Sequence, residues 1–317
     1  MLRSTYTCIL LSISLLLSTL VSGQQASQFS QFQLNQLYFN PAAAGADGVS
    51  RIQLIHRQQY AGYQGTFDEG GAPSTQFFSA SVPLKNLGVG LTVYNDKIGA
   101  LTNQSIHLAA AYRLTLGEGT LALGASAGLY RMALNYNLLR PNEPGDPLIS
   151  TGVIAEAHPD INLGIRYETT GYYVGLSVNH LLSSQYQLGS ELATNPLIPT
   201  YYLNGGVNLE IGYLFEVQPF LLAKYDLSSL SVEGGASVTY NQRFWAGASF
   251  RQEDAIIAMG GVNLLADQSM RLSAAYDVVS FGTTAKSPSS YEILLSYRLP
   301  APKMGKKTIV RTPRFRF

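Results

Sequence analysis

Hydrophobic and polar residues alternate with period two through most of the chain. In 105–114 one face reads Ile106, Leu108, Ala110, Tyr112 and Leu114, and the other Ser105, His107, Ala109, Ala111 and Arg113. The pattern returns at 161–168, where Ile161, Leu163, Ile165 and Tyr167 oppose Asn162, Gly164, Arg166 and Glu168, and again at 172–179, 203–211 and 291–299. Period two marks strands with two unlike faces. A soluble sandwich alternates as well. Two details favour lipid on the apolar side: the polar faces carry charges in mid-strand, and the apolar faces often end in Tyr or Phe, as an interfacial aromatic belt does.

The alternation and its breaks predict fourteen strands, at about 49–60, 74–84, 87–97, 103–116, 119–134, 158–168, 171–180, 200–211, 214–225, 229–240, 242–251, 254–265, 268–278 and 289–299. Most have the length a tilted strand needs to cross a bilayer. Every second connection is tight (Lys85-Asn86, Gly117-Glu118, Thr169-Thr170, Gly212-Tyr213, Asn241, Ala266-Asp267) and the others are usually longer, with Gln252-Glu253 as the clear exception. The expected fold is therefore all-β: a single transmembrane antiparallel β-barrel of about 14 strands over 49–299, with short periplasmic turns and longer extracellular loops. The barrel must close, since an open edge leaves backbone groups unpaired in hydrocarbon. Fourteen strands enclose a lumen wider than an eight-stranded barrel fills with side chains. The segment 24–45 and the two long loops are the candidates to occupy it.

Composition sharpens this picture. Only 13% of residues are charged, about half the roughly 25% of soluble chains. The 46% hydrophobic content excludes disorder, and after residue 21 no apolar run approaches the roughly 18 residues of a spanning helix. Arg3, the run CILLSISLLLSTLV and a small-residue site at VSG make residues 1–23 a signal peptide cleaved near Gly23. The expected location is the bacterial outer membrane, among its lipids. The lone cysteine, Cys8, falls in the leader, so the mature chain has neither disulfide nor thiol chemistry. Removing Arg3 leaves 20 basic and 20 acidic residues, and nothing points to a nucleic-acid partner. Residues 24–48 form a lead-in. Residues 300–317 form a basic tail with Lys303, Lys306, Lys307, Arg311, Arg314 and Arg316 and no acid, which is solvated, docked on an acidic periplasmic partner or held at an anionic membrane surface.

The first strand is unusually polar. Arg51, Gln53, Arg57 and Gln59 share one parity with Val49 and Ile55. Arginine at the bilayer midplane costs roughly 2–4 kcal/mol, so the arginines should face the lumen. There they can pair with Glu210, Glu216, Glu233 or Glu292, as a brace or as a guide for a substrate or ion. Asn179 and His180 with Ser183 or Ser184 lie at a strand end with no orienting signature, so catalysis is not expected. His56, His107, His158 and His180 have no metal-ligand spacing, and no cofactor is expected.

Five ordered elements carry a resemblance: Gln28-Phe29-Ser30-Gln31; Asn40-Pro41-Ala42 with Ala44-Gly45; His56-Arg57-Gln58-Gln59-Tyr60 with Gly62; Gly71-Ala72-Pro73-Ser74-Thr75; and 290–297, which includes Glu292. Together they resemble the PorP/SprF family of the type IX secretion system of Bacteroidota, with its QFSQY-like start, NPAYAG, R-Q-Q-W-x-G, GAP-x-T and late acidic residue. Tyr60 stands where Trp is usual, and Ala43 where Tyr is. The resemblance implies an outer-membrane component of protein export and, in some relatives, gliding motility. Its implied partners are periplasmic type IX subunits and secreted proteins with a C-terminal sorting domain. The candidate structural or partner-contact residues are Asn40, Pro41, Gly45, Arg51, Arg57, Gln58, Tyr60, Gly62, Pro73 and Glu292, with Lys306, Lys307 and Arg311 of the tail. Pro41 fixes φ and pushes Asn40 toward extended backbone, and the small residues after it permit a tight path. The rival functions are a passive channel or hydrophobic-solute transporter and, third, a lipid-modifying enzyme.

Overall fold

The computed structural model describes residues 27–63, 71–140, 150–189, 194–279 and 289–300. The leader at 1–23 and the tail residues Lys306, Lys307 and Arg311 lie outside them. Fourteen antiparallel strands close into one barrel: β1 (Arg51–Gln58), β2 (Ser74–Leu84), β3 (Leu87–Ile98), β4 (Leu101–Leu116), β5 (Gly119–Asn135), β6 (Val153–Glu168), β7 (Tyr172–Asn179), β8 (Thr200–Val207, continued as Leu209–Ile211), β9 (Phe215–Tyr225), β10 (Leu230–Tyr240), β11 (Phe244–Arg251), β12 (Ala255–Leu264), β13 (Met270–Val279) and β14 (Ser289–Arg298). Each pairs with its neighbours in sequence, and β14 pairs with β1 to complete the ring.

The predicted parity holds. Ile106, Leu108, Tyr112 and Leu114 are exposed on the outside, whereas His107, Ala109 and Ala111 are buried toward the lumen. Arg57 and Gln53 are buried inside, so the first strand has the expected register. The bilayer boundary is visible on the outer wall. Leu54, Phe78, Val93, Ile106 and Leu129 form one cross-strand row. Two residues further toward the long-loop end the row is polar, with Asn95 donating to Gln76 (2.6 Å), Gln104 to Asn95 (2.9 Å) and Arg131 to Gln104 (2.8 Å). Outward aromatic pairs sit near both ends, Tyr201–Tyr225 at one and Phe215–Tyr240 at the other, as an interfacial girdle requires.

Several boundaries differ from the alternation. β6 starts at Val153 instead of 158 because its outer half stays paired with β5 up to Asn135↔Val153. That outer half is an edge: pairing with β7 begins only at Leu163↔Val178, so Pro159 removes no ladder bond there. The 99–100 connection is also tighter than expected, since pairing between β3 and β4 runs out to Ile98↔Leu101. The long connection after β7 folds over the outer mouth. Its strands Gln185–Gln187 and Thr194–Pro196 form a small hairpin. Tyr186 is buried against Tyr130 and Met132, and its hydroxyl donates to the Tyr130 carbonyl (2.9 Å). Burial pushes that hydroxyl up to about 12.

Candidate functional site

The lumen is filled by the chain's own N-terminal segment. From Ser27, whose hydroxyl meets that of Tyr94 near the outer end, the segment descends through three short helical turns, Phe32–Leu34, Gln36–Phe39 and Pro41–Ala43. It reaches the short-turn end at Asp47, which pairs with Arg51 (3.2 Å). Phe29, Phe32 and Phe39 are 1–2% exposed and pack edge-on against Phe77, Phe220 and Tyr202 of the wall. Burying each ring contributes roughly 1.5–3 kcal/mol.

Asn40 has the extended backbone that its proline neighbour imposes (φ −140°, ψ 114°). Its side-chain oxygen accepts from the Ala42 amide (2.8 Å), and its amide nitrogen donates to the carbonyls of Ile165 (3.1 Å) and Leu176 (3.3 Å) on β6 and β7. Asn40 thus caps its own turn and fastens it to two strands. The run Ala42–Ala44 lies flat against wall glycines. A Cβ on Gly88 would stand 1.9 Å from the Ala44 carbonyl oxygen, one on Gly124 2.2 Å from the Ala42 nitrogen, and one on Gly164 2.1 Å from Asn40 Oδ1. Gly45 has φ +68°, and its amide donates to Ser81 Oγ (2.7 Å); the left-handed conformation favours glycine there.

Two buried arginines hold the upper part of the plug. Arg57 pairs with Asp277 (2.7 Å), faces Glu292 (3.7 Å) and donates to Ser30 Oγ. Glu292 accepts from the backbone amides of Ser30 (2.8 Å) and Gln31 (3.0 Å), and Ser30 Oγ donates to Asp277 (2.6 Å). Arg251 bonds Glu233 (2.8 Å) and Asp254 (3.0 Å) and also donates to Gln28 Oε1 (3.1 Å) and the Phe29 carbonyl (3.3 Å). Buried charges need both a counter-charge and hydrogen bonds; here the plug backbone supplies part of the bonding. At the outer rim Gln58 donates to the carbonyls of Ala72 (3.2 Å) and Pro73 (3.1 Å), and the Tyr60 amide donates to Ser290 Oγ (3.0 Å). Tyr60 and Gly62 turn the chain there with φ of 49° and 89°.

The family model for the type IX secretion system membrane protein PorP/SprF matches residues 21–297. The chain belongs to the PorP/SprF family. No curated protein matches it. Solved barrels resemble it in outline only. The toluene transporter TbuX of Ralstonia pickettii has a TM-score of 0.49 at 12% identity, over 83% of this chain and 93% of that one. A Pseudomonas aeruginosa FadL homologue has 0.48 at 12%, over 82% and 92%. The translocator domain of the autotransporter NalP from Neisseria meningitidis has 0.45 at 14%, over 85% and 96%.

In this PorP/SprF barrel the motif residues Ser30, Gln31, Arg57 and Glu292 converge on one lock, while Asn40, Pro41 and Gly45 line the plug path below it. Other expectations are corrected. Arg51 forms an ion pair with none of the four glutamates; it lies at the opposite end of β1 from Arg57 and pairs with Asp47 (3.2 Å). Glu233 serves Arg251, Glu216 lines a cavity at the short-turn end, and Glu210 is exposed. Asp277, Arg251 and the glycine wall were missed. Asp277 was recoverable, because Arg271, Ser273, Ala275 and Asp277 share the inward parity of β13. His180 Nδ1 meets Asp160 (2.7 Å), which also meets His107 (3.0 Å), whereas Ser183 is exposed and Ser184 donates to the Pro159 carbonyl (3.4 Å). The side chain of His180 therefore engages a carboxylate. Among the described residues no group of three or more His, Cys, Asp or Glu is placed to hold a metal ion.

Proposed function

We propose that this outer-membrane component of type IX secretion acts as a docking element without catalytic chemistry, engaging exported proteins that carry a C-terminal sorting domain and periplasmic subunits of the machinery, and serving motility in a cell that glides. The observation that carries this reading is the plug: the barrel's own residues 27–47 occupy the lumen and are fastened by buried charges at one end and by Asn40 and Gly45 below. Deleting the gene and following the surface appearance of sorting-domain cargo tests the role; unchanged export refutes it. Planar-bilayer recording of purified protein tests the rival. Docking predicts a closed barrel, and a large steady conductance favours a channel.

A further inference from the structure

Toward the short-turn end, which faces the periplasm in an outer-membrane barrel, the lumen keeps open space beside the plug. Two adjoining cavities of about 250 and 270 Å³ share Gln33, Leu34, Arg51, Gln218 and Arg271 on their walls. Their walls bring three arginines together. Arg51 and Arg298 are cross-strand partners on β1 and β14, and Arg271 stands on the same inner face of β13, opposite Ser296. Like charges directly opposite one another destabilise a sheet. Only Arg51 has a carboxylate in ion-pair contact, Asp47 (3.2 Å); Glu216 acts on Arg271, and Asp267 on Arg298, across longer gaps. Arg271 donates to Asn263 Oδ1 (2.8 Å) and Arg298 to the Gln268 carbonyl (2.6 Å), both neutral. Among the described residues neither forms an ion pair. Arg166 and Glu168, also on the lining, pair with each other (2.7 Å), and Glu216 is the remaining acid. Arg113 also pairs with Glu168 (2.7 Å) and Glu210 stands opposite Glu216, so what marks the recess is the cluster of Arg51, Arg271 and Arg298, two of them bonded to neutral oxygens.

We propose that this vestibule binds a carboxylate of a peptide segment presented from the periplasm. Guanidinium forks match a carboxylate bidentately. The side-chain amides of Gln33, Gln218, Gln242 and Gln268 line the same space and suit peptide groups. Trp245 lies on this wall with its indole N–H buried and without an acceptor among the described residues. The proposal rests on the docking role argued above and names a site for it.

Trp245 is the chain's sole tryptophan, so its fluorescence reports the recess directly. Full-length protein in nanodiscs is titrated with N-acetyl-Gly-Gly-Asp-Ser amide, which carries a single carboxylate, and with N-acetyl-Gly-Gly-Asn-Ser amide, which is neutral. The acidic peptide should give a saturable change, weakened at least tenfold in Arg271→Gln with Arg298→Gln and in Arg298→Gln alone, and restored in part by Arg298→Lys. Arg243→Gln, at an exposed arginine of the same end, should leave it unchanged. No saturable response, an equal response to the neutral amide, equal competition by inorganic phosphate, or equal loss in Arg243→Gln overturns the proposal. A failed titration removes this site alone; the docking role stands or falls on export from the deletion strain.

Discussion

Glu292→Gln swaps a carboxylate for an amide of the same shape at the point where the plug is held. In the native barrel its two oxygens accept from the Ser30 and Gln31 amides at 2.8 and 3.0 Å while Arg57 stands 3.7 Å away. The amide keeps one acceptor oxygen and turns an NH₂ toward the other donor. One charge-assisted bond is lost and the other becomes neutral, which by the usual values for such bonds costs about 2–4 kcal/mol. The β-ladders around it are untouched, so the cost falls on plug release and not on global unfolding. At a factor of ten per 1.4 kcal/mol, the released population rises about 30- to 700-fold. Native-state hydrogen exchange reads this local opening: amides of 29–40 should exchange faster by that factor, while those of β9 to β11 keep their protection. Unchanged exchange in 29–40, or an equal rise across the wall, refutes the lock.

Gly124→Val places a side chain where a Cβ already falls 2.2 Å from the Ala42 nitrogen. The plug should be displaced, and chymotrypsin should cut at Phe32 and Phe39 in the variant but not in the native barrel. Tyr186→Phe removes the bond to the Tyr130 carbonyl, a loss of about 1 kcal/mol, and exchange in the 185–197 hairpin should quicken about fivefold. Asp226 gives a pH test. Burial alone would raise its carboxyl, but the Ser229 amide and the hydroxyls of Ser228 and Ser229 hold it below the ordinary value. A group lowered in the fold stabilises it above its unfolded pKa, about 3.9, and loses that contribution as pH falls through the folded value. Protease cleavage at the 226–229 turn should therefore rise as pH is lowered below about 4, and Asp226→Asn should flatten the dependence.

The wall was legible because one physical rule governs it. Each position faces lipid or lumen, and lipid tolerates no charge, so parity alone located strands such as 105–114 and set Arg57 inward. Strand ends were less legible, since the outer half of β6 and the 99–100 turn lie where lipid no longer enforces alternation. The plug was harder still. Nothing periodic marks 27–47, and its path depends on the absence of side chains on Gly88, Gly124 and Gly164, three strands that sequence reading treats separately. The ion cluster failed for a similar reason. Parity says that Arg57, Arg251, Glu233, Asp277 and Glu292 all face inward, but only the strand order and heights say which of them meet.

That order gives the lock its meaning. Arg57 and Glu292 are register partners across β1 and β14, the seam at which the first and last strands join. The plug amides that Glu292 accepts come from residues just before β1 in the same chain. Before the seam forms, Arg57 lacks Glu292, and the Ser30 and Gln31 amides lack their acceptor. Closing the ring brings these groups together in one step, at a site where an unpaired charge is costly. Barrel closure and plug capture are therefore energetically coupled: a ring closed without the plug leaves Glu292 without its backbone donors, and a plug without the closed ring lacks the Arg57–Glu292 part of its anchor. Residues far apart in sequence, 28–31, 57 and 292, act as one unit because the fold makes them neighbours only when the barrel is complete.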